Sequence, residues 1–256
     1  MKKLALPKIN LDIFKELARR FQDRVPKELQ SLLAESNEKP DDMRVRQRIA
    51  EYHYRQGEFD EAVEIYQEIA EYYDKEDFVL KAIDICKNVL KIKPDFVDVN
   101  LRLAALYLKV DMKTEASNQF RIAINHFGRI GDSDRALSLA QQLVQVDGSN
   151  ENRAKLAEIY ISCNMAEEAV KQYEILAKEY RLKKNYDKLL HYYELILPHR
   201  QTNMAVIRDL CILYLRKKHP DRALHIMEQY KVVSDPNFAD LVEKARLMQE
   251  ALRRKK

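Results

Sequence analysis

Apolar residues in this chain recur three and four positions apart, the spacing that gathers side chains on one face of an α-helix. Residues 10–22 place Ile13, Phe14, Leu17, Ala18 and Phe21 on one face, with Asn10 as their cap. Pro26 opens a second helical run that ends before Lys39-Pro40-Asp41. Three longer runs follow. Residues 43–56 turn Val45, Ile49, Ala50, Tyr52 and His53 inward. Residues 59–73 turn Ala62, Val63, Tyr66, Ile69 and Ala70 inward, and residues 78–92 do so with Ala82, Ile83, Ile85, Cys86, Val89, Leu90 and Ile92. Gln56-Gly57-Glu58 separates the first two runs, and Gly57 supplies the left-handed backbone on which helices end. Residues 74–77 are a short polar joint before the third.

The trio then returns. Ala62, Ala116, Ala169 and Ala223 stand 54, 53 and 54 residues apart. Four residues after each comes a large side chain: Tyr66, Phe120, Tyr173 and Met227. The preceding helix has its own column of small residues, Ala50, Ala104, Ala157 and Cys211, and three positions later stand His53, Tyr107, Tyr160 and Tyr214. Small residues belong where a neighbouring helix approaches, and small against large lets helices interlock at high density. His53 is read as a half-buried structural ring. Residues 128–132 are the expected joint before the third helix of the next repeat, and Tyr192 and Tyr193 are read as core of the one after. Pro220 and Pro236 fall in the first turns of the last two helices, where a missing N–H is harmless. A fixed period of this size marks a stack of like units, each touching its neighbours. The expected organisation is one solenoid over residues 1–256. A capping helix pair occupies 1–41, three-helix repeats occupy 42–95, 96–149 and 150–202, and a C-terminal repeat with a basic final helix occupies 203–256.

These columns resemble the tetratricopeptide repeat family. The likeness lies in the small residue and Tyr of the first helix, the turn glycine, the Ala early in the second helix, the aromatic four later and the closing Pro. It is fullest in RIAEYHYRQGEFDEAVEIYQEIA at 48–70 and recurs over 43–73, 97–127, 150–180 and 204–231. The resemblance implies an all-α, right-handed solenoid whose first helices line the concave side. This chain departs from the family in its period. The family unit has two helices and about 34 residues, whereas here a third helix joins each repeat to give about 54. Asp111, Asn164 and Lys218 also stand where the first repeat has Gly57. One subclass of the family grips acidic C-terminal peptides with Lys and Asn on successive first helices. Gln47 and Glu51 occupy those places, so that activity is not expected.

Composition narrows the function classes. The formal net charge is +4, and residues 243–256 alone hold six basic against two acidic residues, which is the whole excess. The rest of the chain is balanced, and a nucleic-acid binder ordinarily carries a basic stripe over its body. Cys86, Cys163 and Cys211 are odd in number and widely spaced, which predicts buried thiols in a reducing, cytoplasmic setting rather than disulfides or a zinc site. MKKLALPKIN is too short in apolar residues for a signal core, and no run approaches a membrane span of about 20 apolar residues. There is no glycine-rich phosphate loop, no H-E-x-x-H, no nucleophile elbow and no C-x-x-C. No catalytic residue, metal or cofactor is expected.

What remains is surface. On the first helices, the positions not needed for the core include Arg44, Gln47, Arg48 and Tyr54 in the first repeat. The second offers Leu101, Arg102, Ala105, Leu108 and Lys109, the third Ala154, Lys155, Glu158 and Ile161, and the fourth Arg208, Ile212 and Leu215. Leu101, Ala105 and Leu108 make an apolar stripe flanked by Arg102 and Lys109. Charge-rimmed apolar stripes mark interaction sites. The expected function is therefore a non-catalytic scaffold or adaptor. Its partner is a protein segment or helix with apolar anchors and acidic edges. Two alternatives are an RNA-associated helical-repeat protein, carried by Arg44, Arg48, Arg55, Arg102 and Lys109, and a regulatory module of a larger bacterial machine.

Overall fold

The computed structural model describes residues 26–200 and 203–254, and every regular element in them is helical. Helix α1 spans Lys27–Glu38, α2 Met43–Gln56, α3 Phe59–Lys75, α4 Val79–Ile92, α5 Val97–Lys109, α6 Lys113–Ile130 and α7 Ser133–Val146. Helix α8 spans Asn150–Ser162, α9 Ala166–Leu182, α10 Tyr186–Ile196, α11 Met204–Arg216, α12 Pro220–Gln229 and α13 Ala239–Arg253. The amphipathic run at 10–22 and the tail lysines Lys255 and Lys256 lie outside the described residues. The fold is all-α, with the three-helix repeats that the alanine columns predict. The chain forms two compact units, Met1–Gln119 and Phe120–Lys256, with the division falling inside α6.

Helix ends follow the repeat as closely as the alanine column does. Eight of the described residues have φ between 54° and 79°, and they form two columns. Gly57, Asp111, Asn164 and Lys218 end the first helices, and Asp77, Gly131, Lys184 and Lys231 end the second helices. After each, the next residue donates its N–H to the carbonyl five residues back. Glu58 reaches His53 at 3.0 Å, Met112 reaches Tyr107 at 2.9 Å, Met165 reaches Tyr160 at 2.8 Å and His219 reaches Tyr214 at 2.9 Å. The second column repeats this with Tyr73, Phe127, Tyr180 and Met227 as acceptors. This six-to-one bond satisfies a carbonyl the helix would otherwise leave open, and it requires the left-handed residue. The third helices of the first two repeats end otherwise, on extended residues: Lys93 at φ −126° and Asp147 at φ −137°. Thus two sharp reversals and one extended joint make each of these two repeats, whereas α10 ends on Leu197 with helical φ −58°.

Two joints differ from expectation. Gly128 lies inside α6, and the left-handed residue is Gly131, with φ 78°. The hydrogen-bonding geometry asks for one such residue, not a loop. Pro236 opens a 3-10 turn, Pro236–Phe238, and α13 begins only at Ala239.

In the N-terminal unit, consecutive helices pack against each other, and Ala50, Ala62 and Ala116 are fully enclosed. Around them lie Tyr66, Ile69, Ile83, Cys86, Leu103, Leu106 and Tyr107 in one core cluster. Leu32, Val45, Ile49 and Tyr52 form a smaller cluster where α1 meets α2. In the C-terminal unit, Ala157, Ala169, Cys211 and Ala223 are likewise fully enclosed, with Leu176, Ile196, Leu210 and Met227 packed to full burial. The Cys86 and Cys211 thiols are pushed up to about 11 and about 12 by burial, which leaves them protonated and inert. His53 is buried rather than half-buried, at 5 % exposure.

Candidate functional site

Helix α5 divides its surface sharply. Val99, Leu103, Leu106 and Tyr107 are buried, while Leu101 and Arg102 are half-buried and Ala105, Leu108 and Lys109 are exposed. Leu108 retains 36 % of its surface. The stripe foreseen on this helix therefore faces solvent along its C-terminal two turns and is partly covered at Leu101. Lys109 forms an ion pair with Asp74 of α3. In the same unit, Arg44 lies 3.9 Å from the capping carboxylate of Asp42, and Arg48 pairs with Glu35 of α1 at 2.9 Å. Gln47 donates to Glu51 at 3.2 Å. Tyr54 is exposed, with its ring 5.7 Å from that of Phe59. These charges are exposed and locally paired, so they contribute little to stability and remain exchangeable for a partner's charges. In the fourth repeat, Leu215 is buried at 3 % and is core, whereas its counterparts Tyr54, Leu108 and Ile161 are open.

Lys155 lies in the C-terminal unit, where it pairs with Glu158 at 3.4 Å and lines a groove of about 490 Å³. Helix α6 contributes Arg121, Ile124 and Asn125 to this groove, and α8 contributes Asn150, Glu151, Asn152, Ala154, Lys155 and Glu158. Leu143 of α7, Tyr180 of α9, and Lys188 and Tyr192 of α10 complete the wall. The Tyr180 and Tyr192 rings stack at 5.6 Å and 11°, and Tyr173 packs on Tyr192 from behind at 5.9 Å. Burial raises the Tyr173 and Tyr192 phenols above their ordinary range, so both are neutral donors. Apart from Ala154, Lys155 and Glu158, sequence reasoning named none of these residues as a surface. They come from five helices of two repeats, and each is ordinary on its own helix. The one available signal was Asn152, a polar residue in a column otherwise held by Val45, Val99 and Val206.

The comparisons with known proteins bear on the scaffold. Residues 45–75, which comprise nearly all of α2 and the whole of α3, match the family model described as tetratricopeptide repeat. Those residues are a tetratricopeptide-like helical repeat. Among curated proteins, no sequence matches it. Among solved structures, it is similar to the tetratricopeptide-like repeats of a putative kinesin light chain from Podosopora anserina. There the identity is 16 %, the TM-score is 0.34, and 88 % of this chain and 94 % of that one are covered. A thermophilic tetratricopeptide protein from Thermus thermophilus aligns at 18 % identity and TM-score 0.29, over 60 % of this chain and 99 % of that one. MamA from Desulfovibrio magneticus aligns at 13 % identity and TM-score 0.25, over 57 % and 97 %. A tetratricopeptide-like scaffold suits protein–protein interaction. Among the described residues, no helix is long and apolar enough to cross a membrane.

Proposed function

We propose that this tetratricopeptide-like chain is a non-catalytic adaptor that holds a segment of a partner protein against its first-helix faces. The observation that carries the reading is the divided surface of α5. Helix packing already has Val99, Leu103, Leu106 and Tyr107, yet Leu108 and Ala105 leave an apolar row open beside Arg102 and Lys109. A second apolar row on a packed helix has no role in the core, and charge at its edge fits an interaction site. The matching partner is an amphipathic helix or extended segment with apolar anchors and acidic edges. Arg44, Gln47, Arg48 and Tyr54 would extend the contact along α2. The apolar anchors would carry affinity, and the basic edge would set orientation and association rate. Three unpaired cysteines, two of them buried, support a reducing cytoplasmic setting.

The test is affinity capture from native lysate with wild-type protein, Leu108→Asp and Arg102→Glu, each verified as folded by circular dichroism. The expected result is loss of the captured partner with Leu108→Asp and a salt-dependent weakening with Arg102→Glu. Equal capture by both folded variants would contradict the assignment of this face.

A further inference from the structure

The reversal between α9 and α10 departs from its counterparts in two ways that packing does not require. Leu182 stands where the first two repeats have Lys75 and Arg129, and it is 75 % exposed. An apolar side chain so placed adds nothing to the core. Two residues on, Lys184 takes the left-handed position with φ 54°, which Asp77 and Gly131 hold in the first two repeats. Glycine, asparagine and aspartate reach that backbone readily, whereas lysine does so only at a cost. The reversal after α11 repeats this second departure. Lys218 has φ 60° there, and Gly57, Asp111 and Asn164 stand in its place elsewhere.

The structure brings the two reversals together on one edge of the C-terminal unit. Lys217 forms an ion pair with Asp187 in the first turn of α10, and the Arg216 guanidinium lies 5.2 Å from the centre of the Tyr186 ring. Lys183, Lys184, Arg216, Lys217 and Lys218 are all exposed, and so is Tyr186. Of the acids at this edge, Asp187 is held by Lys217, Glu179 pairs with Lys183 at 3.4 Å, and Asp221 belongs to the first turn of α12. Among the described residues, no carboxylate pairs with Lys184, Arg216 or Lys218. A cation in the last turn of a helix complements its dipole, which accounts for Arg216. The dipole does not ask for lysine on a left-handed residue or for leucine in water.

An apolar tip ringed by unpaired cations matches the surface of an anionic bilayer. The ammonium groups meet lipid phosphates while the leucine enters the acyl boundary, and each basic residue adds to the attraction. RNA would use the cations but would leave Leu182 in water, and its affinity rests on many phosphate contacts. We propose that this edge of the C-terminal unit docks peripherally on an anionic membrane surface. Leu182 and Tyr186 lie at the headgroup boundary, and Lys184, Arg216 and Lys218 face the lipid phosphates. The α5 face takes no part in this contact.

The chain has no tryptophan, so Leu182→Trp places a single reporter at the tip. With vesicles of two parts phosphatidylcholine to one part phosphatidylglycerol, its emission is expected to shift to the blue. With phosphatidylcholine alone it is expected to stay as in buffer. Leu80→Trp, at an exposed site in the N-terminal unit, is expected to stay unshifted with both. In flotation of the tryptophan-free chain with the anionic vesicles, Lys184→Gly combined with Lys218→Gly is expected to lower partitioning about tenfold. Glycine suits both backbones, so the variant keeps its fold. Lys27→Gln combined with Lys91→Gln removes equal charge from exposed sites of the N-terminal unit and is expected to lower partitioning by less than about twofold. Unshifted Leu182→Trp emission on anionic vesicles, or equal losses from the two lysine pairs, would overturn the proposal. So would an octauridylate whose binding is lost in the Lys184→Gly, Lys218→Gly variant while vesicle partitioning is kept, since the edge would then serve nucleic acid.

Discussion

His53 Nδ1 lies 2.6 Å from Glu58 Oε2 across the first turn, and the other ring nitrogen is buried without a partner among the described residues. A carboxylate only accepts, so Nδ1 is the donor. The same position carries Tyr107, Tyr160 and Tyr214 in the other repeats. Glu58→Ala would leave a buried donor unmet and should cost about 1–3 kcal/mol in urea unfolding. Adding His53→Phe should recover most of that loss, because no buried donor then remains. A double variant no more stable than Glu58→Ala would mean that the carboxylate acts through something other than this bond.

The left-handed columns give a graded prediction. Lys184, Lys218 and Lys231 adopt φ of 54° to 60°, which an L side chain with Cβ reaches at a cost of roughly 1–2 kcal/mol. Lys184→Gly and Lys218→Gly should each raise stability by about 1 kcal/mol, which offsets part of that strain against the extra chain entropy of glycine. Asn164→Gly should gain less, since asparagine tolerates this region. Equal gains at all three would remove the Cβ argument.

Helix α4 lacks a cap that its counterparts have. Asp132 accepts from the Arg135 N–H at 3.1 Å and Asn185 accepts from the Lys188 N–H at 3.1 Å, whereas Phe78 holds the same place with no side-chain cap. Phe78 is 49 % exposed and Leu80 beside it 65 %. Phe78→Asp should therefore stabilise the protein by about 0.5–2 kcal/mol, less what the ring's contacts with Tyr73 and Lys81 contribute. Scanning calorimetry reads the sign directly, and a lower melting temperature would mean those contacts outweigh the cap.

Asp132 also predicts a pH dependence. The Arg135 backbone N–H, then its side chain, hold the Asp132 carboxyl below its ordinary value in the folded state. A depressed folded value means that the stabilisation is fully present above the unfolded carboxylate range and is lost as pH falls through the folded one. Between neutral pH and pH 3, Asp132→Asn should therefore lose less stability than wild type. Parallel acid profiles for the two proteins would show that the cap is not linked to folding.

Ala116 and Ala169 are fully enclosed, so Leu at either site should overpack it and cost about 1–3 kcal/mol. Unchanged melting for both would mean the helices part easily there.

These residues also mark how far the sequence could be read. Ala62, Ala116, Ala169 and Ala223 were legible because close helix approach admits only small side chains, and the same constraint fixed the helix register. The turn at Gly57 was legible because glycine announces it. The matching turns at Asp77, Lys184 and Lys231 were not, since lysine carries no signal for left-handed backbone, aspartate is common in many other places, and only the repeat identifies them. Gly128 misled, because a glycine inside a helix looks like a glycine that ends one. Exposure of the α5 row could be foreseen from α5 alone. Burial of Leu215 could not, because it depends on packing outside its own helix. The groove was invisible for the same reason, as the Arg121–Asn152–Asp147 network joins residues up to 31 positions apart.

The central claim is that a partner protein lies on the open face of α5. Hydrogen–deuterium exchange of the protein alone and with its captured partner tests this most directly. The account predicts added protection in residues 101–109, which the Leu108→Asp variant does not acquire under the same conditions. Protection confined to other helices, with 101–109 exchanging at the rate of the free protein, would contradict it.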